Sequence, residues 1–358
     1  QRQRQARTTP GTKTNMTEIT VPTTDPDSSG IRLERKLCKQ HARRTNSHGL
    51  IYLAKWLVAL AVTGSLVALS LGTSWMLPAM LIHGILIAVP VYALSHETSH
   101  GSTFRNNTLN EIVHWITAFL YGEEPLHRRY THAVHHSYTW NTARDIQIPF
   151  SLPMTLGGWL REASGIGLAK FHWEVLTRLV TARYSETMRA ALPRDQLPVA
   201  TRNARIFAAA YIAGAVAVIA GQTWLLWFVI APRILGTPAM MLFTILQHAE
   251  MQENTPRLQD STRTFTTSRL GRFLYANMNY HIEHHLYPQT PFHALPALHE
   301  SLREQLPPPD TGFWKSSIDI LSVCARRSLG RGTEARHVRQ SASMVSRGEW
   351  QKIGVRTM

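Results

Sequence analysis

Cysteine is almost absent: Cys38 and Cys324 are the only two in 358 residues, one towards each end. That excludes a disulfide framework, a thiolate zinc site and a fused iron–sulfur domain. With no haem or flavin signature either, any electrons this chain uses come from elsewhere. No secretory signal is visible in the first thirty residues, which are rich in Gln, Thr and Arg and hold no apolar run, so entry into the membrane through the chain's own spans is expected. Met16 is the expected natural start, with residues 1–15 an upstream extension. No internal repeat of roughly 20–50 residues is present. Charge is scarce in two blocks, near 51–95 and 206–247, where the apolar residues of a 44% hydrophobic chain are concentrated. Such unevenness implies membrane spans joined by a solvent-facing part.

Acidic residues are the minority, 23 against 38 Lys and Arg, for a formal charge of +15. Location decides what this means. Residues 1–50 carry ten Lys/Arg against four Asp/Glu, and residues 315–358 carry nine against three, so twelve of the fifteen charges sit in the tails. Basic tails flanking apolar spans are the mark of cytoplasmic segments, which also rest on anionic lipid. Neither tail shows a nucleic-acid-binding pattern, and no nucleic-acid partner is expected.

The organisation follows. Residues 1–48 read as a polar, basic N-terminal tail, 49–310 as a membrane domain and 311–358 as a basic, disordered C-terminal tail. Spans are expected at about 50–71, 75–94, 206–220 and 224–247. The first carries one charge, Lys55, close enough to its start to snorkel. Short uncharged links make two helical hairpins, and Pro232-Arg233 in the fourth span predicts a kink, with Arg233 facing the protein or marking a break. Residues 95–205 and 248–310 are then cytoplasmic, together with both termini. An interfacial helix is expected at 109–121, where Ile112, Val113, Ile116, Phe119 and Leu120 recur at helical spacing. The expected fold is an all-α integral membrane protein, four transmembrane helices in two hairpins with a cytoplasmic helical cap.

Three histidine clusters end up on one side of that topology. They are His96-Glu97-Thr98-Ser99-His100, His132-Ala133-Val134-His135-His136 and His281-Ile282-Glu283-His284-His285. Each holds a pair spaced i,i+3 or i,i+4, which points two imidazoles from one helix face at a common point. Eight such rings exceed what one ion takes, and His248, at the inner end of the fourth span, makes a ninth. The count suits two metals, while imidazole alone does not choose between zinc, copper and iron. Glu97, Asp145, Glu250, Glu283 and Asn277 are candidate partners for the imidazole N–H groups, and His127 is a further ligand, supporting or substrate-facing candidate. The scattered His83, His114, His172, His293 and His299 read as ordinary interfacial side chains. Arg128 and Arg129 are candidates for holding an acidic headgroup or membrane phosphate.

At these residues the chain resembles the membrane fatty acid desaturases and related hydroxylases. The order His-x3-His, His-x2-His-His, His-x2-His-His, split by a hairpin, is similar to the family's three histidine boxes. The flanks agree at Ser95-His96-Glu97, at Arg144-Asp145 and at Asn279-Tyr280 with Leu286-Tyr287-Pro288. The resemblance implies that the boxes, with His248, hold two irons that activate O2. It also implies electrons passed from NAD(P)H through an external reductase and a ferredoxin, rubredoxin or cytochrome b5-type carrier. The implied reaction is desaturation of a fatty acyl chain. His248 is followed by Ala249-Glu250, whereas bacterial members often place Glu before this histidine. An apolar tunnel is needed beside the metals, with Trp115, Trp140 and Trp173 as candidate walls or packing residues. Two rivals remain at this point: an alkyl or lipid hydroxylase using similar boxes, and a membrane zinc transporter or receptor.

Overall fold

Helices α2 and α3 meet through Trp56, whose indole N–H donates to the Leu86 carbonyl at 2.8 Å, and through Thr63 Oγ1, 2.7 Å from His83 Nδ1. Contacts that climb one helix while descending the other define an antiparallel pair. These helices span Asn46–Ser70 and Met76–Ser99, after a short α1 at Arg35–His41. The computed structural model describes residues 30–148 and 150–331; expectations for 1–29 and 332–358 lie outside them.

Fifteen α-helices follow in order among the described residues. After α3 come α4 (Asn107–Tyr121), α5 (Pro125–Ser137), α6 (Leu156–Ala163), α7 (Ile166–Val180), α8 (Glu186–Ala191), α9 (Leu197–Ile219) and α10 (Ala231–His248). The remainder are α11 (Leu258–Ser261), α12 (Arg269–Leu274), α13 (His281–Leu286), α14 (Leu295–Leu302) and α15 (Phe313–Ser328). No β-strand occurs among the described residues, only isolated bridges from Thr264 to Tyr280 and Phe265 to Asp310. Four helical segments are long and apolar enough to cross a membrane: that ending at Ser70, then Met76–Ser99, Leu197–Ile219 and Leu226–His248.

Glycine sets the central contact. A Cβ on Gly84 would lie 1.9 Å from the Pro232 carbonyl oxygen, and one on Gly236 would lie 2.0 Å from the Gly84 carbonyl. Only two glycines let α3 and α10 cross backbone to backbone, the small-residue contact that apolar helices use to pack closely. This seam carries the ends of both helices, and therefore His96, His100 and His248, to one place. By contrast α9 lies against α7, with Leu179, Ala200 and Ala204 in their shared core.

Several elements differ from the sequence expectation. The fourth apolar segment opens with a π-helical turn at Leu226–Ile230 before α10. Proline lacks the N–H that would continue the ladder, so the irregular turn absorbs Pro232. Arg233 turns toward the protein, donating to Thr237 Oγ1 at 2.9 Å and to the Tyr121 carbonyl at 3.4 Å. The third apolar segment starts at Leu197, earlier than residue 206. The expected disordered tail from 311 is corrected in part, because Phe313–Ser328 is helix α15, with Phe313, Ile320 and Cys324 packed into the main core. Arg327 clamps it there by a bidentate pair to Glu250, 2.7 Å at each oxygen.

Candidate metal centre

Local sequence sets each cluster in place. Helix α4 starts under Asn106, whose side chain accepts from the Leu109 amide, and ends at Gly122 with φ +99°, a left-handed stop that suits glycine. Ile112, Trp115, Ile116 and Leu120 form its exposed stripe. Two residues on, Glu124 caps α5 by accepting from the His127 amide, and Pro125 occupies the first turn, where no N–H is needed. That start fixes the rotation of α5, so that Arg128, His132 and His135 share one buried face. Helix α13 is held by Thr264, which donates to Glu283 Oε2 at 2.5 Å and accepts from the Ile282 amide at 3.2 Å.

The nine histidines converge. One nitrogen from each of His96, His100, His132, His136 and His284 lies within 4.8 Å of the others, and His135, His248 and His285 form a second such group. The two groups adjoin, the His136 and His285 rings stacking at 4.1 Å between centroids. His281 belongs to neither set, yet its Nε2 is 3.2 Å from Nε2 of both His248 and His285. His127 stays outside: its Nδ1 meets Glu123 Oε1 at 2.7 Å.

Outer hydrogen bonds decide where the ring protons are. His135 Nδ1 donates to Asp145 Oδ2 at 2.8 Å and His248 Nδ1 to the Ser261 carbonyl at 2.9 Å. Thr139 Oγ1 spends its proton on the His135 carbonyl, so it accepts from His285 Nδ1 at 3.0 Å. Likewise Thr131 donates to the His127 carbonyl and accepts from the Gln147 amide, which turns Gln147 Oε1 toward His132 Nδ1 at 3.0 Å. Four rings thus carry their proton on Nδ1 and aim the Nε2 lone pair inward.

Burial, then Arg128 and neighbouring rings, holds His100 down to about 3, and burial reinforced by neighbouring rings holds His132, His136 and His284 well below the ordinary histidine range. Neutral imidazoles with inward lone pairs repel one another and cannot hydrogen-bond among themselves. Nε2 of His96, His100 and His284 has no hydrogen-bond partner among the described residues. Buried polar atoms left unpaired are costly, and one cation would satisfy these three together, while the nitrogens of His135, His248 and His285 converge closely enough to hold a second. The residues present therefore fit a pair of metal ions. His281 is the exception in tautomer, since its Nδ1 faces the Gln247 amide nitrogen at 3.4 Å.

The supporting residues divide. Glu97 Oε1 lies 3.2 Å from His96 Nδ1 and 3.6 Å from His284 Nδ1, and Asp145 Oδ2 lies 2.8 Å from His135 Nδ1. Three others are corrected. Glu250 is taken by Arg327, Glu283 pairs with His299 and Thr264, and Asn277 donates to the Phe292 carbonyl at 3.0 Å. Thr139, Gln147 and the Ser261 carbonyl are the groups that face Nδ1 of His285, His132 and His248. Of the histidines read as ordinary, His83, His114 and His299 are buried. His114 Nε2 donates to the Pro125 carbonyl at 2.9 Å and its Nδ1 lies 3.2 Å from Thr98 Oγ1, and burial, then Arg129, lowers it to about 3.

A cavity of about 200 Å³ opens against this cluster, with His96, His132, His135, His248 and His281 on one wall and Trp140 beside them. Trp140 is buried, whereas Trp115 and Trp173 are exposed and lie away from it. Arg128 lines the cavity rather than the surface, and Arg129 pairs with Glu111 at 2.8 Å.

The family model described as fatty acid desaturase matches residues 73–317. Dihydrorhizobitoxine desaturase of Bradyrhizobium elkanii is 24% identical over 296 residues, which cover 73% of this chain and 78% of that protein. The matched region contains all nine converging histidines.

Proposed function

We propose that this chain, which belongs to the fatty acid desaturase family, desaturates an aliphatic chain with O2 at a two-iron centre. Membership makes it a membrane oxidoreductase; iron, O2 and the course of the reaction are the proposal. The carrying observation is the inward convergence of nine histidines, eight buried and His100 partly so, five in one group, three in the other and His281 at its edge.

Breaking an unactivated C–H bond is beyond acid–base side chains, so bound iron would supply the one-electron and O2 chemistry. In balance, a CH2–CH2 unit, O2, two electrons and two protons give a CH=CH unit and two waters. The residues of this chain hold and orient. His96, His100, His132, His136 and His284 would take one ion, and His135, His248 and His285, with His281, the other. Asp145, Thr139, Gln147 and the Ser261 carbonyl keep Nδ1 protonated and the lone pairs inward. Trp140 and the apolar wall exclude water from the reacting carbons.

Cysteine scarcity supports an external donor, a reductase with a ferredoxin, rubredoxin or cytochrome b5-type carrier drawing on NAD(P)H. The active face and both termini are assigned to the cytoplasmic side. The relative bears the name of a desaturase of dihydrorhizobitoxine, so membership by itself leaves the aliphatic substrate open. Turnover under labelled O2 tests the reading. The product should be two hydrogens lighter than its substrate, with the label in water. Labelled oxygen in the product would make the chain a hydroxylase.

A further inference from the structure

Arg128 is 5% exposed and carries two guanidinium nitrogens, Nε and Nη2, with no hydrogen-bond acceptor among the described residues. The third, Nη1, lies 3.8 Å from Glu123 Oε2, and the guanidinium stands over the Tyr92 and Tyr121 rings at 5.3 and 5.4 Å. All four residues line the cavity that touches the histidines. Two rings hold the fork in position while its free edge keeps its donors, an arrangement that suits bidentate capture of a carboxylate.

Position on the helix sets the reach. Arg128 precedes His132 by four residues, about 6 Å along α5 at 1.5 Å per residue. An anion on Arg128 therefore stands close to the metal-facing wall, and only a few carbons separate it from the reacting bond. The cavity, about 200 Å³, falls below the roughly 300–1,000 Å³ usual for drug-sized ligands. Ile146, Ile148, Phe150, Met241 and Ile245 give the remaining wall an apolar character. A methylene chain passing here would leave Arg128 Nε and Nη2 desolvated with no acceptor, a cost that a carboxylate removes.

A second orphan atom lines the same cavity. Glu162 is 1% exposed; its Oε1 is held by Arg161 at 2.9 Å, but Oε2 has no partner. Gly167 makes room for it, since a Cβ there would lie 2.3 Å from Oε1. From these residues, and resting on the desaturase reading, we infer that the substrate is a small aliphatic carboxylate of amino-acid size. Its carboxylate docks on Arg128, and a donor group such as an ammonium meets Glu162. The reacting C–H bonds lie within a few carbons of the carboxylate, in place of a mid-chain bond of a long acyl lipid.

Calorimetric titration of the purified full chain in detergent tests this, using hexanoate, its uncharged amide hexanamide, and norleucine. Hexanoate should bind at least tenfold more tightly than hexanamide, a contrast that needs no variant. Arg128→Gln should weaken hexanoate at least tenfold and leave hexanamide unchanged, and Glu162→Gln should weaken norleucine but not hexanoate. Equal binding of hexanoate and hexanamide, or desaturation of palmitoyl lipid with no binding of the short acids, would overturn the assignment. These titrations need neither electrons nor O2. A chain that binds hexanoate through Arg128 but makes no alkene would instead sink the desaturase reading alone.

Discussion

Asp145 and His135 are joined by a 2.8 Å hydrogen bond, and the same carboxylate oxygen also accepts from the Trp140 amide at 2.9 Å. A carboxylate tied down by backbone fixes the ring it faces. The histidine is thereby oriented before any metal arrives. In Asp145→Asn the amide loses the negative charge that favours Nδ1–H, so iron affinity should fall about 10–100-fold with helix content unchanged. Competition against a chelator measures it, and unaltered affinity would remove Asp145 from the support of the centre.

The crossing of α3 and α10 makes a separate demand. Gly236→Ala puts a methyl 2.0 Å from the Gly84 backbone, and no side-chain rotation relieves a backbone clash. The loss should be about 3 kcal/mol or more. Thermal unfolding in detergent should show a much lower midpoint, and iron retention should drop with it, because the seam carries His96 and His248 to the same place. A variant as stable as the parent would mean that the helices part freely there.

The boxes were legible because their spacing is itself the geometry: i,i+3 and i,i+4 pairs share a face whatever the fold does around them. His248 was legible from its place at a span's end. The supports were not. Thr139 meets His285 across 146 residues, and Ser261 acts through a carbonyl that every residue possesses. Glu250 looked like a histidine partner until Arg327 claimed it from α15, a helix whose mean hydropathy gave little signal. Basic Arg128 looked like a surface residue, yet the cap at Glu124 turns it inward.

Replacing single ligands should act on a whole centre. His100→Ala, His135→Ala and His284→Ala should each lower bound iron and reduce turnover to background, since each removes one lone pair from a closed group. Elemental analysis and product assays on the same preparations check this. Full activity in any one of them would take that residue out of the centre.

Electron supply gives a further expectation. The isolated chain should be inert with NAD(P)H and O2 and turn over only with a reductase and a small carrier. An acidic carrier would dock on a basic surface, so turnover at limiting carrier should weaken as salt rises and the Debye length falls from about 10 Å to about 3 Å. Rates that ignore salt would argue against electrostatic docking, and turnover without a carrier would overturn the external donor.

The metal count bears most directly on the account. Protein purified from iron-replete cells, analysed by plasma mass spectrometry against quantitative amino-acid analysis, should hold close to two irons per chain, with zinc only in traces. One ion per chain, or zinc in place of iron, would contradict a two-iron centre built on these nine histidines.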